Sequence, residues 1–150
     1  MIDTIVRNLQ RAKSMAVELS WHVRNHLIFV RLSGHITFHD LEELYRTTVR
    51  SMQASDAPMV HVLMDDGDIT DFPKSIPELR NMMRWQEHHK LGWVVAYPNN
   101  NPLLNFIATV LSQTFGSRYR RVESLEDALT YLRDADLALA NLDIPDTPEP

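Results

Sequence analysis

The chain contains no cysteine, only four glycines in 150 residues, and no apolar run long enough to cross a bilayer. Without cysteine there are no disulfides, no thiolate nucleophile and no cysteine-ligated zinc, and a thiol-free chain suits a reducing cytoplasm, where the protein is expected. The few glycines form no phosphate-cradling loop. There is also no Gly-x-Ser-x-Gly nucleophile elbow and no His-Glu-x-x-His zinc helix. A secretory signal is missing, because residues 1–15 scatter Arg7, Arg11 and Lys13 among their apolar positions. A formal net charge of −5 gives no general attraction to phosphate backbones, so nucleic acid is not an expected partner.

What is present is an ordinary globular balance, 44% apolar and 23% charged, at a length that fits one domain around one core. Ile2, Ile5, Val6 and Leu9 recur at helical spacing opposite Arg7 and Arg11, which predicts a short amphipathic helix over 1–15. Ala16 to His22 and His26 to Leu32, separated by a short polar step, read as an antiparallel strand pair. The second of these is nearly all apolar, as an interior strand covered on both faces should be.

After Gly34 the apolar period changes from two to about 3.6. A helix opens at Phe38, capped by Thr37 with Asp40 at its positive end, and shows Leu41, Leu44, Tyr45, Thr48 and Met52 on one face. Val60 to Met64 is a buried-strand run that should stop in an acidic, solvated turn of Asp65, Asp66, Gly67 and Asp68. Ser75 and Glu78 have capping-box spacing, with Pro77 in the first turn, and predict a second helix to about His89. Gly92 to Tyr97 is the next strand, followed by a third helix capped by Asn100, Asn101 and Pro102. Tyr119 to Val122 is a last short strand. Ser124 and Asp127 open a final helix that should continue toward Ala140, and residues 143–150 read as a disordered acidic tail.

The order is β-β-α-β-α-β-α-β-α behind an N-terminal helix. Strands alternating with helices require right-handed crossovers, giving an α/β fold with a mixed, mostly parallel five-stranded sheet flanked by helices.

Several local phrases carry a resemblance: the strand ending in Gly34 and Ile36 before a Leu- and Glu-rich helix, then Val62-Leu63-Met64-Asp65, then Leu91-Gly92-Trp93. The closing Glu126-Asp127-Ala128-Leu129 with Tyr131 and Leu132 completes the set. Together they resemble the SpoIIAA-like branch of the STAS superfamily, also labelled STAS/SEC14, across residues 16–142. The resemblance implies a non-enzymatic regulatory module, like the anti-sigma-factor antagonists, that works by protein contact. It also implies a switch serine at the N-terminus of the second helix, for which Ser75 is the candidate. The loop there reads Asp71-Phe72-Pro73-Lys74-Ser75-Ile76-Pro77 rather than the Asp-Ser-Ser-Gly-like loop of that group. A plain helix cap is the competing account of Ser75.

A stripe of Ile76, Leu79 and Met83 on the second helix projects Trp85 outward and Met82 to the flank. The expected partner surface is therefore Asp71, Phe72, Pro73, Ser75, Met82 and Trp85, with a homodimer as one form of partnership. On the third helix Leu103, Leu104, Phe106, Ile107, Val110, Leu111 and Phe115 span a wider arc than one sheet contact needs. The N-terminal helix, a second subunit or an apolar ligand would cover the remainder, and the last makes a carrier of a lipid or other apolar small molecule the alternative function. His35, His39 and Asp40 lack the spacing that fixes a metal, and His88 and His89 diverge by about 100° on a helix. No catalytic residues, metal or cofactor are expected.

Overall fold

The structure is a computed structural model that describes residues 16–142 together with 144 and 145. The helix expected over 1–15 lies outside the described residues, as do Asp143 and 146–150 of the expected tail. The elements are β1 (Val17–Val23), β2 (Leu27–His35), α1 (Phe38–Ala54), β3 (Val60–Asp71), α2 (Ile76–Met82), a 3-10 turn (Arg84–Glu87), β4 (Leu91–Tyr97), α3 (Pro102–Phe115), β5 (Arg118–Arg121), α4 (Leu125–Ala135) and α5 (Leu137–Ala140). The strands lie side by side in chain order, β1 antiparallel to β2 and every later pair parallel.

That order fixes the layers. Each crossover from β2 onward moves one strand in the same direction, so right-handed connections lay α1, α2 and α3 on one face. Among the described residues no strand follows β5, and α4 and α5 close the opposite face. The pleat distributes the apolar side chains accordingly. Ile28, Val30 and Leu32, Val62 and Met64, and Val94 and Ala96 join Leu41, Leu44, Leu79, Ile107 and Leu111 in the first layer. Leu27, Phe29, Leu63 and Val95 join Leu129, Leu132 and Leu139 in the second.

The ends of the elements follow the capping logic of the sequence. Thr37 and Asp40 make a reciprocal capping box, while Asn101 and Ser124 accept from Leu104 and Asp127 amides. Asn25 turns the β1–β2 hairpin at φ +70°, a conformation asparagine tolerates well, and its carbonyl accepts from Ser55 Oγ.

Four expectations are corrected. β3 does not stop at Met64 but runs through the acidic residues to Asp71, because pairing with β2 continues to the His35–Asp71 position. The second helix ends at Met82 rather than His89, and Ser75 makes no side-chain cap bond. The final helix is broken at Asp136, whose carboxylate caps α5 through the Ala138 amide. Ile144 is buried in the second layer and the Pro145 carbonyl accepts from His22 Nε2 at 2.7 Å, so packing extends past Leu142.

The break at Asp136 is tied to a fully buried histidine. His61 Nδ1 accepts from the Trp93 amide at 2.8 Å, leaving Nε2 to donate to Asp136 Oδ2 at 2.7 Å. The ring lies so close under β4 that a Cβ on Gly92 would collide with it, which accounts for glycine at that position. Burial holds the His61 pKa below its ordinary 6.5, against the opposing pull of the Asp136 bond and charge. The bonds from His61 and the Ala138 amide outweigh burial at Asp136 and hold that carboxyl low.

A histidine with a depressed folded pKa stabilises the chain above its unfolded pKa, and acidification removes that contribution because the unfolded chain takes up the proton first. The lowered Asp136 carboxyl acts in the same direction in more acidic solution. Urea titrations are therefore expected to show stability steady above pH 7 and falling as pH drops below about 6.5. In His61→Asn most of that fall should vanish, with lower stability at pH 8; an undiminished fall would reject the assignment.

Candidate functional site: a rim and a cavity at the carboxyl ends of the parallel strands

β3 hands over to α2 through Phe72–Ser75 at the carboxyl end of the sheet, where open α/β folds place their sites. The Ile36 amide donates to the Asp71 carbonyl at 2.9 Å and pins this connection to the end of β2. Lys74 Nζ donates to Asp71 Oδ1 at 3.0 Å and lies 5.4 Å from the centre of the Phe72 ring. The Lys74 bond, helped by the Phe72 amide, holds the Asp71 carboxyl below its ordinary range. Asp71 and Ser75 are exposed, while Phe72 and Pro73 are half-buried.

Four of the six residues expected at a partner surface thus share one rim. Met82 and Trp85 do not. Met82 is half-buried against the core, and Trp85, projected outward by helical phase, is 1% exposed. The reason is local: α2 stops at Met82, Met83 leaves helical geometry at φ −105°, ψ 16°, and a 3-10 turn of tighter period carries Trp85 inward. Trp85 Nε1 has no hydrogen-bond partner there.

Beneath the rim is a cavity of about 670 Å³, counted out to its open mouth. Leu32, Ile36 and Met64 line it from the sheet, Phe72 and Pro73 from the rim, Leu79 and Trp85 from the α2 segment, and Leu104, Ile107, Ala108 and Leu111 from α3. Its walls are carbon except at one corner.

That corner holds Asp66 and Arg121, 4% and 6% exposed, in a bidentate pair at 2.8 Å on each arm. Arg121 also donates to the Pro98 carbonyl, the Tyr119 hydroxyl and Asn105 Oδ1. Burial raises the Asp66 carboxyl, opposed by Arg121, and the Asp66 bonds keep the guanidinium protonated against burial. Burial likewise raises the Tyr119 hydroxyl. Next to Asp66, Gly67 packs so tightly on Pro98 that an added Cβ would lie 2.6 Å from Pro98 Cδ.

The expected solvated acidic turn is therefore corrected at Asp66. Its signal was present in the strand period: Val62, Met64 and Asp66 alternate onto the same face. Chemically the corner is saturated, since its titratable groups bond to one another. Among the described residues no three histidine, aspartate or glutamate side chains gather in a metal-holding group, and no helix is long and apolar enough to cross a membrane.

No protein-family model matches the sequence, and neither does any curated protein. Solved structures do match. One is an uncharacterised DUF3478-family protein with a SpoIIAA-like fold from Shewanella loihica, at 13% identity over 78% of this chain and 92% of that one, TM-score 0.56. A second is the anti-sigma factor antagonist SpoIIAA in its unphosphorylated form, at 14% identity over 79% and 98%, TM-score 0.55. A third is the Bacillus cell fate determinant SpoIIAA in its phosphorylated form, at 14% over 79% and 100%, TM-score 0.54. The chain has the SpoIIAA-like α/β fold, the architecture that its sequence resemblance implied.

Removing one partner of the buried pair strands the other charge. Arg121→Met is expected to cost ~3–5 kcal/mol, while Asp66→Leu with Arg121→Met should recover most of it. Chemical denaturation of the single and double variants checks this, and equal losses in both would show that the pair's charge is not what matters.

Proposed function

We propose that the chain is a non-enzymatic regulatory module that recognises a protein partner through the rim Asp71–Ser75 and the exposed side of α2, with Ser75 as its switch. The observation that carries this reading is the state of Ser75: it is exposed at the start of α2 and its hydroxyl makes no capping bond. Ser75 keeps the N-cap position, where its carbonyl accepts from the Leu79 amide, while its hydroxyl is left without a capping role. SpoIIAA, which shares the fold, is known in phosphorylated and unphosphorylated forms. A phosphate on Ser75 would add a charge of about −1.5 to −2 beside Asp71, which His35 and Lys74 contact at 3.2 and 3.0 Å. Repulsion and bulk would then act directly on the contact surface.

Affinity capture from native extract tests it with three baits: the unchanged chain, Ser75→Ala and Ser75→Asp. A companion held by the first two and lost from the third is the expected result, and phosphate on Ser75 should be found by mass spectrometry of the natively expressed chain. A companion indifferent to all three baits would sink the switch. A second copy of the chain counts among the partners, read by light scattering of the same variants.

A second reading, the carrier of an uncharged apolar small molecule, is favoured by the cavity. Its ionic corner is already neutralised internally, so it offers no free charge to an anionic head group. Ala108→Trp should fill the space and abolish any ligand retained in native mass spectra, without changing the response to Ser75→Asp. A native spectrum free of ligand in the unchanged chain would reject this reading alone.

A further inference from the structure

Two strands of the sheet have a free edge among the described residues, and they are built differently. β5 is four residues long and its Arg118 and Arg120 are exposed, so shortness and charge both discourage another strand from joining it. β1 runs for seven residues with no lysine, arginine or proline. Glu18 is its one carboxylate, and its register shift falls at the far end, between Trp21 and Val23. Leu19 and Trp21 are half-buried and pack with the layer that carries α1, α2 and α3.

The pairing of β1 with β2 fixes which backbone groups that edge offers. The Ser33 amide donates to the Ala16 carbonyl at 2.9 Å, so Ala16, Glu18 and Ser20 turn their peptide groups toward β2. Alternation then points the N–H and C=O of Val17, Leu19 and Trp21 out of the sheet, where no backbone partner meets them among the described residues. Donors and acceptors in that alternation are a template for an antiparallel strand.

The template is complementary to itself. With Leu19 opposite its own copy, Val17 faces the partner's Trp21 and every outward residue pairs, for about six hydrogen bonds. Glu18 then faces the partner's Ser20, and within its own chain it lies opposite Arg31. Centring the pair on Glu18 instead would oppose two carboxylates, and centring it on Ser20 would carry Val17 past the register shift at Trp21.

We propose that the free edge of β1 seats a second copy of this chain, added antiparallel about Leu19 so that the two sheets become one. The two-fold axis then stands normal to the sheet, which places the α1, α2 and α3 layers of both copies on the same face and their rims at opposite ends. The pair presents two rims to partners, yet no rim residue takes part in forming it. The proposal is independent of Ser75.

Sedimentation of the full-length chain over a wide concentration range should show monomer passing to dimer. Leu19→Lys and Leu19→Glu, each shown to be folded by circular dichroism, should stay monomeric at roughly tenfold above the midpoint of the unchanged chain, because like charges meet across the axis. An equimolar mixture of the two should dimerise again. The native chain has no cysteine, so Glu18→Cys mixed with Ser20→Cys and oxidised in dilute solution should cross-link severalfold more than either variant alone. That measurement reads the register without relying on the Leu19 variants. Ser75→Asp should leave the dimer in place. A chain monomeric at every concentration, a dimer that survives both Leu19 charges, mixed thiols that cross-link no better than single ones, or a dimer lost in Ser75→Asp would each overturn the proposal.

Discussion

The bidentate contact between Asp66 and Arg121 is the interaction on which the carboxyl end of the molecule depends. β5 is four residues long, lies at the sheet edge and pairs only with β4. A strand that short contributes few ladder bonds, and its residues Arg118 and Arg120 face solvent. Arg121 reaches past β4 to β3 and adds the Pro98 carbonyl, so three successive strand ends are tied at one point. Two charges placed under apolar walls lose most of their hydration, and only this near-complete set of bonds offsets that loss. The pair lines one corner of the cavity, opposite residues of α3.

The two faces of the sheet are put to different use. On the α4 and α5 side, Leu27, Leu63, Leu132 and Leu139 are fully buried, and His61 joins β3, β4 and the α4–α5 break in one hydrogen-bonded unit. On the other side α2 is short, buries only Leu79 outright and passes into a 3-10 turn, leaving space beneath it. Few buried contacts mean low local stability, and binding segments are drawn from such regions. The rim and the cavity both adjoin this short helix.

The polar groups of the cavity corner are engaged with one another. A catalytic base needs an unoccupied lone pair within reach of a substrate, whereas Asp66 and Tyr119 direct theirs at Arg121. Asp71, Lys74 and Ser75 on the rim are exposed.

Alternation between pleated and helical periods determined by itself that this chain is a mostly parallel sheet with helices on it, because apolar residues at spacing two or 3.6 each have only one way to reach a core. Cap residues determined most helix starts for the same local reason. Tertiary structure alone decided the fates of Trp85, Asp66 and Asp136. Trp85 turned inward because one residue, Met83, broke the helical phase that any projection from Ile76 must assume. Asp66 and Asp136 left the solvent to which a carboxylate is ordinarily assigned because Arg121 and His61 wait for them 55 and 75 positions away in the chain. A partner that distant exerts no influence on local periodicity, and it is the partner that makes burial of the charge affordable.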